Sequence, residues 1–139
     1  MAQIQFFRPE GLVHSPAFSH AAVIPKGMAT VYLGGQNAVD AQGRLEGAGD
    51  IAAQASKAMD NAAAALAAAG ANLDDVVQWT VVMVQGSDIN AAYGAIAPRL
   101  VRDEPPLVVA SMVSALGLPG ALIEISAIAA IEASRPSAG

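Results

Sequence analysis

Apolar residues along the chain change from two-residue spacing to helical spacing and back, and this change predicts the order of the secondary structure. Runs rich in β-branched and large apolar residues, bounded by glycine, proline or small polar residues, predict strands. The predicted strands cover residues 4–7, 20–24, 29–33, 76–84, 107–115 and 121–131. We expect the turn Pro25-Lys26-Gly27 to join the second and third strands as a hairpin.

Two further segments carry apolar residues at helical spacing and predict helices. Asp50 is suited to the N-cap of the first helix, and Gly70 is suited to the position just after its end. Ser87 and Asp88 can cap the second helix, which closes near Pro98. The order of strand, hairpin, long helix, strand, helix and two strands predicts an α+β layer sandwich with both helices on one face of the sheet.

The size and composition predict one domain over residues 1–139, with residues 133–139 as a flexible polar tail. Only 14% of the residues are charged, against roughly 25% in a typical soluble domain. The folded surface therefore either exposes apolar atoms or buries them against partner subunits. An oligomer is expected on this ground. The alternative is that the low charged fraction reflects only a high content of alanine.

The charge and the missing cysteines exclude several classes of function. The formal net charge is −5, and the seven lysines and arginines are scattered, so neither nucleic acid nor an anionic membrane is an expected partner. The absence of cysteine excludes disulfides, thiolate nucleophiles and cysteine-ligated metals. No segment resembles an export signal or approaches the ~20 apolar residues of a membrane span. A cytoplasmic location is the prediction.

Glu124 is the most informative ionisable residue. Two-residue spacing in the last predicted strand places Ile123 and Ile125 on one face and Glu124 and Ser126 on the other. A carboxylate among apolar neighbours loses hydration unless it has a partner, and such a group can position a water or carry a proton. The alternative is an edge strand on which Glu124 faces the solvent.

Two other features are weaker candidates for chemistry. Gly34 and Gly35, at the end of a predicted strand, allow a ligand to approach the backbone amides closely, although a plain turn is the alternative. His14 and His20 lack the spacing of a helical metal-binding pair. We therefore predict no metal site and no cofactor.

Three motifs in the same order resemble the Rid family, also called the YjgF or endoribonuclease L-PSP family. They are Gly35-Gln36 followed by Val39-Asp40, Leu-Asp-Asp-Val-Val at residues 73–77, and Gly-Ala-Leu-Ile-Glu-Ile at residues 120–125. The resemblance covers about residues 14–132. It implies a chorismate-mutase-like fold and a homotrimer whose sheets line a central barrel. It also implies three small-molecule clefts between neighbouring subunits.

The resemblance also implies a set of site residues. The family's deaminases release ammonia and a keto acid from reactive enamines and imines, with an arginine that binds the substrate carboxylate and a glutamate that holds a water. Glu124 matches that glutamate and is the expected catalytic residue. The substrate-binding positions implied are Phe18, Gly34, Gly35, Asn90, Val108 and Ala110.

Here the chain departs from the family pattern. Phe18 lacks the hydroxyl of the family's tyrosine, and Gly34 lacks the hydroxyl of its serine. Val108 stands where the motif Pro-Ala-Arg-Ser has its arginine, and a shift of two residues reaches only Ala110. Valine offers neither charge nor donor to a carboxylate. Whether Arg99 or Arg102 substitutes for the arginine is open at this stage.

Two hypotheses of different classes follow. In the first, Glu124 activates water to hydrolyse a small neutral imine, enamine or amide-like substrate in a cleft lined by Phe18, Val108 and Ala110, with weak or absent 2-aminoacrylate deaminase activity. In the second, a non-catalytic trimer binds a small ligand or a partner. A ribonuclease activity, suggested by the family's older name, conflicts with the acidic charge.

Overall fold

The computed structural model describes residues 3–133 and shows an α+β sandwich in which helices cover one face of a mixed sheet. The predicted fold class is confirmed. Of the predicted tail at residues 133–139, residues 134–139 lie outside the described residues. The strands are β1 (Gln5–Phe7), β2 (Ala21–Val23), β3 (Met28–Gln36), β4 (Val76–Val84), β5 (Leu107–Val113) and β6 (Ile123–Glu132), and the α-helices are α1 (Ile51–Ala68) and α2 (Ile89–Ile96).

The main sheet has the order β3-β6-β4-β5. Strand β6 is antiparallel to both of its neighbours, whereas β4 and β5 are parallel and are connected through α2. The last strand of the chain therefore lies inside the sheet. The edge-strand alternative for Glu124 is wrong, because β4 and β3 flank β6 on its two sides.

The predicted hairpin between the second and third strands is also wrong. Strand β2 pairs with β1 as a separate two-stranded sheet, in the register Gln5↔Val23. The loop between them is fixed at its end, where the His20 backbone N–H donates to the Phe7 carbonyl at 2.9 Å. The nine-residue β3 pairs instead with the ten-residue β6, which offers far more ladder bonds than a three-residue strand.

Helix α1 has both of the predicted ends. Asp50 accepts a hydrogen bond from the Ala53 N–H at 3.1 Å. Gly70 follows the helix with a φ of 82°, and the N–H groups of Gly70 and Ala71 donate back to carbonyls of the last turn. Small side chains bring α1 close to the sheet; the fully buried ones are Ala55, Ala58 and Ala62. No helix within residues 3–133 is long and apolar enough to cross a membrane.

The two-residue alternation predicted for β6 is confirmed. Ile123, Ile125 and Ala127 are buried and belong to the core beneath the helices. Glu124 and Ser126 lie between them in the chain and are half-buried. The sheet thus has a helix face, which forms the core, and an open face, on which none of the described helices packs.

Candidate functional site

The strand register assigns each candidate residue to one face of the sheet, because directly paired residues point the same way. Val82 of β4 pairs with Glu124 of β6 and with Ser111 of β5. Thr80 pairs in the same way with Ser126 and Val109. These six residues form the centre of the open face.

A bulge in β3 brings a glycine against Glu124. The β3–β6 register shifts between Leu33 and Gln36, so that Gly34 and Gly35 lie outside the regular ladder. A Cβ atom at Gly35 would lie only 2.7 Å from the Glu124 side-chain carboxyl carbon, whereas one at Gly34 would have nothing within 4 Å. Gly35 is therefore required for the close approach of backbone and carboxylate. The structure brings these two predicted site residues together.

Val108 and Ala110 lie on the opposite face from Glu124. Val108 pairs with the buried Trp79, and Ala110 pairs with Val81. Within one chain, Val108 and Ala110 therefore do not share a face with Glu124, and the expected cleft between neighbouring subunits stays a prediction. A one-residue shift in register moves every side chain of a strand to the other face, and an alignment without register could not detect that shift.

Val109 and Ser111 of β5 share the face of Glu124. On β4, β5 and β6, no lysine or arginine occupies an open-face position of the described strands. No arginine therefore stands at the family's position, whether Val108 or Val109 of β5 is aligned with it.

Neither of the two arginines considered as substitutes lies on the open face. Arg99 donates through Nη1 to Asp60 Oδ1 at 2.7 Å, which holds it against α1. Arg102 donates through Nη1 to the Val76 carbonyl at 2.9 Å and lines a cavity on the helix face.

Asn90 lies in the first turn of α2 and is exposed. Asp88 caps this helix by accepting from the Ala91 N–H at 3.1 Å. Because α2 belongs to the helix side of the sheet, Asn90 does not meet Glu124 of the same chain.

The helix-face cavity has a volume of about 560 Å³ and lies between α2 and strands β4 and β5. Its walls include three of the predicted site residues, Phe18, Val108 and Ala110, together with Trp79, the pairing partner of Val108. Phe18 reaches the cavity from the loop before β2, which is held in place where the Ser19 hydroxyl donates to the Pro105 carbonyl at 2.6 Å. Phe18, Val108 and Ala110 therefore do come together, but without Glu124.

Trp79 and Arg102 of this cavity are not among the predicted binding residues. Arg102 enters the sequence analysis only as a candidate substitute for the missing arginine. The period-two pattern of β4 could have placed Trp79 on the inner face, but no local signal shows that Arg102 turns back to the start of β4.

Comparisons with known proteins agree with this fold. The model of the family described as endoribonuclease L-PSP matches residues 12–131. Protein DfrA of Myxococcus xanthus is 35% identical over 115 residues, which is 81% of this chain and 83% of DfrA.

Two solved structures illustrate the structural likeness. YyfB of Yersinia pestis, a Rid-family protein of unknown function, superimposes with a TM-score of 0.80 at 34% identity, over 92% of this chain and 98% of YyfB. E. coli TdcF, solved with bound serine, has a TM-score of 0.64 at 25% identity, over 77% of this chain and 83% of TdcF.

Proposed function

This chain belongs to the endoribonuclease L-PSP family, also called Rid or YjgF, and we propose that its Glu124 activates water to hydrolyse a small neutral imine, enamine or amide-like substrate. The observation that carries this proposal is the contact between Glu124 and the Gly35 backbone at a bulge of the open face. The family shares the chorismate-mutase-like α+β fold found here.

In this proposal Glu124 acts as a general base on an imine. The carboxylate takes a proton from water while the water oxygen bonds to the imine carbon, and the C=N bond becomes a single bond. The protonated carboxyl returns that proton to the nitrogen, which gives a carbinolamine. Glu124 then takes the proton of the carbinolamine hydroxyl and passes it to the nitrogen, so that the C–O bond becomes a carbonyl double bond while the C–N bond breaks and ammonia or an amine leaves. The bulge frees backbone groups of Gly34 and Gly35 from the regular ladder, which makes them candidates to bind the substrate.

The charges of the open face favour a neutral substrate. A substrate carboxylate near Glu124 would meet a like charge, and no cation occupies an open-face position on β4, β5 or β6. Standard 2-aminoacrylate deaminase activity is therefore expected to be weak or absent. The serine bound to TdcF supports a ligand about as large as an amino acid.

The proposal includes a homotrimer with clefts between neighbouring subunits. Val109 and Tyr32 on the open face are 49% and 78% exposed in the single chain, which supports coverage by another subunit. Since Asn90 and Phe18 cannot reach Glu124 in one chain, a neighbouring copy would supply them. Light scattering should give about three times the chain mass of 14.0 kDa, and a mass of one chain at micromolar concentration would contradict this assembly. A cytoplasmic location remains part of the proposal.

The catalytic test uses two imines that differ in charge. An amine oxidase acting on benzylamine supplies a neutral imine, and an amino-acid oxidase acting on alanine supplies an imine with a carboxylate. We expect the protein to accelerate ammonia release from the neutral imine only. Glu124→Gln, which keeps the shape of the side chain, should abolish the acceleration, whereas Glu132→Gln at the end of the same strand should not.

The second candidate is a non-catalytic binding protein. The observation that favours it is the scarcity of proton donors: Glu124 is the one ionisable residue among the six that form the centre of the open face. If neither imine reacts faster but a neutral amide such as acrylamide binds in calorimetry, and Glu124→Gln alters that binding, this second function replaces the first.

A further inference from the structure

The contact between Gly35 and Glu124 joins two segments of the chain, and helix α1 holds each of them through a side-chain amide. Gln54 of α1 is fully buried. Its Nε2 donates to the Gly120 carbonyl at 3.2 Å, and its Oε1 accepts from the Leu122 N–H at 2.8 Å. These two bonds fix the segment that leads into β6 and Glu124.

Asn61 of α1 holds the other segment, which follows the β3 bulge. Its Nδ2 donates to the Asn37 carbonyl at 2.9 Å and to the Val39 carbonyl at 3.0 Å. Asn61 follows Gln54 by about two helical turns, so both amides lie on the same side of α1. One helix therefore sets the position of both segments.

Asn37 joins the two segments to each other. The β3–β6 pairing ends with Gln36 opposite Ile125, so the Ile123 carbonyl lies beyond the backbone ladder. The Asn37 Nδ2 donates to this carbonyl at 3.0 Å. A side-chain donor thus continues the ladder after the bulged strand has ended, and its acceptor belongs to the residue directly before Glu124.

The approach of Gly35 to Glu124 is close enough to depend on this bond. A Cβ atom at Gly35 would lie 2.7 Å from the Glu124 carboxyl carbon, so the two groups have no room to spare. In catalysis, a misplacement of about 1 Å can lower a rate by about 100-fold. A small movement of β6 against the bulge would therefore change the site, although Asn37 itself is not one of the residues at the centre of the open face.

From these contacts we propose that Asn37 is a positioning residue: its side-chain amide fixes β6 against the β3 bulge and thereby holds Glu124 at the Gly35 backbone. Gln54 and Asn61 hold the two segments that Asn37 joins. The effect on catalysis rests on the proposed function, whereas the geometry can be measured without a substrate.

The first measurement uses the unmodified protein and follows the exchange of side-chain amide protons with water by NMR. The Asn37 amide protons should exchange at least about tenfold more slowly than those of Asn90, because a hydrogen-bonded proton is protected and Asn90 is exposed. Exchange as fast as that of Asn90 would overturn the proposal, and this result does not depend on any variant.

Two variants then remove the donor. Asn37→Asp keeps the shape of the side chain, and Asn37→Leu keeps its branched outline without adding a charge. Both should lower ammonia release from the neutral imine by about 10- to 100-fold in folded protein. Both should also shift the backbone amide resonance of Gly35, as Glu124→Gln should, because that amide lies at the Glu124 side chain.

The matched control is Asn72→Asp. The side chain of Asn72 acts through its oxygen, which accepts from the Asp74 N–H at 2.9 Å, so aspartate keeps this bond. The control should therefore leave both the rate and the Gly35 resonance unchanged. Melting temperatures show that each variant is folded at the temperature of the assay.

The outcomes separate positioning from stability and from the proposed hydrolysis. A rate loss in folded Asn37 variants without a shift of the Gly35 resonance would overturn the proposal, because the role of Asn37 would then be structural only. An effect in Asn37→Asp alone would overturn it too, since the new charge would be the cause. If the unmodified protein does not accelerate ammonia release, the proposed hydrolysis fails, and the Gly35 resonance still decides whether Asn37 positions Glu124.

Discussion

The two faces of the sheet are built by the same strands but differ in what they can bind. On β4, Trp79 and Val81 face the cavity, while Thr80 and Val82 face Glu124. The open face has a carboxylate and no cation at its centre, and the cavity has a cation and no carboxylate in its lining. Alternate residues of one strand therefore face surroundings of opposite charge, and an error of one residue in the alignment exchanges the two faces.

The largest expected effect is a difference in the loss of unfolding free energy between a substitution on the helix face and one on the open face. Ile125→Ala removes a fully buried side chain from the helix-face core and should cost about 2–5 kcal/mol of unfolding free energy. Ser126→Ala, one residue away on the open face, should cost less than about 1 kcal/mol. Urea unfolding at one fixed protein concentration measures both. Equal losses would mean that the open face is packed as tightly as the core.

A new arginine tests which β5 residue shares the open face with Glu124. Val109→Arg should create binding of pyruvate, at least about tenfold above the parent, because a guanidinium can bind a carboxylate bidentately. If Glu124 pairs with the new arginine, the double variant with Glu124→Gln should show the binding instead. Calorimetry is the measurement. Val108→Arg is the matched control. The assignment of faces would be reversed if the double variant Val108→Arg with Glu124→Gln bound pyruvate and the Val109 variants did not.

The cap of α2 gives a smaller effect that is confined to the helix side. Asp88→Ala removes the side-chain acceptor for the Ala91 N–H and should cost about 1 kcal/mol. Ser87→Ala should cost less than about 0.5 kcal/mol, because the hydroxyl of Ser87 is not the cap. Thermal or urea unfolding compares the two variants, and a larger loss for Ser87→Ala would place the cap one residue earlier.

The smallest expected change in stability comes with a clear expected loss of activity in the imine assay. Gly35→Ala places a methyl group against the Glu124 side chain, which can swing away at a cost below about 1 kcal/mol. We expect the imine assay to fall several-fold while the melting temperature hardly moves. Gly34→Ala meets nothing within 4 Å and should change neither. If Gly34→Ala lowers activity as much as Gly35→Ala does, the contact with Glu124 is not the cause.

Local patterns were sufficient for the elements themselves. The caps at Asp50 and Gly70 depend on bonds within a few residues, and both are as predicted. The alternation around Glu124 in β6 is likewise a property of neighbouring residues, and it is confirmed. The motifs at Gly35-Gln36 and around Glu124 were also enough to indicate the family.

Strand partners and faces were decided only by the tertiary structure. Strand β2 pairs with β1 rather than β3, and β6 enters the centre of the sheet, because ladder partners are chosen by contacts between distant segments. The same is true of Val108: its sequence neighbours do not show that it pairs with Trp79 and faces away from Glu124. The cavity with Arg102 depends on several separate segments of the chain meeting. Composition and spacing determine which residues can carry chemistry, but pairing register, a non-local property, determines which of them share a site.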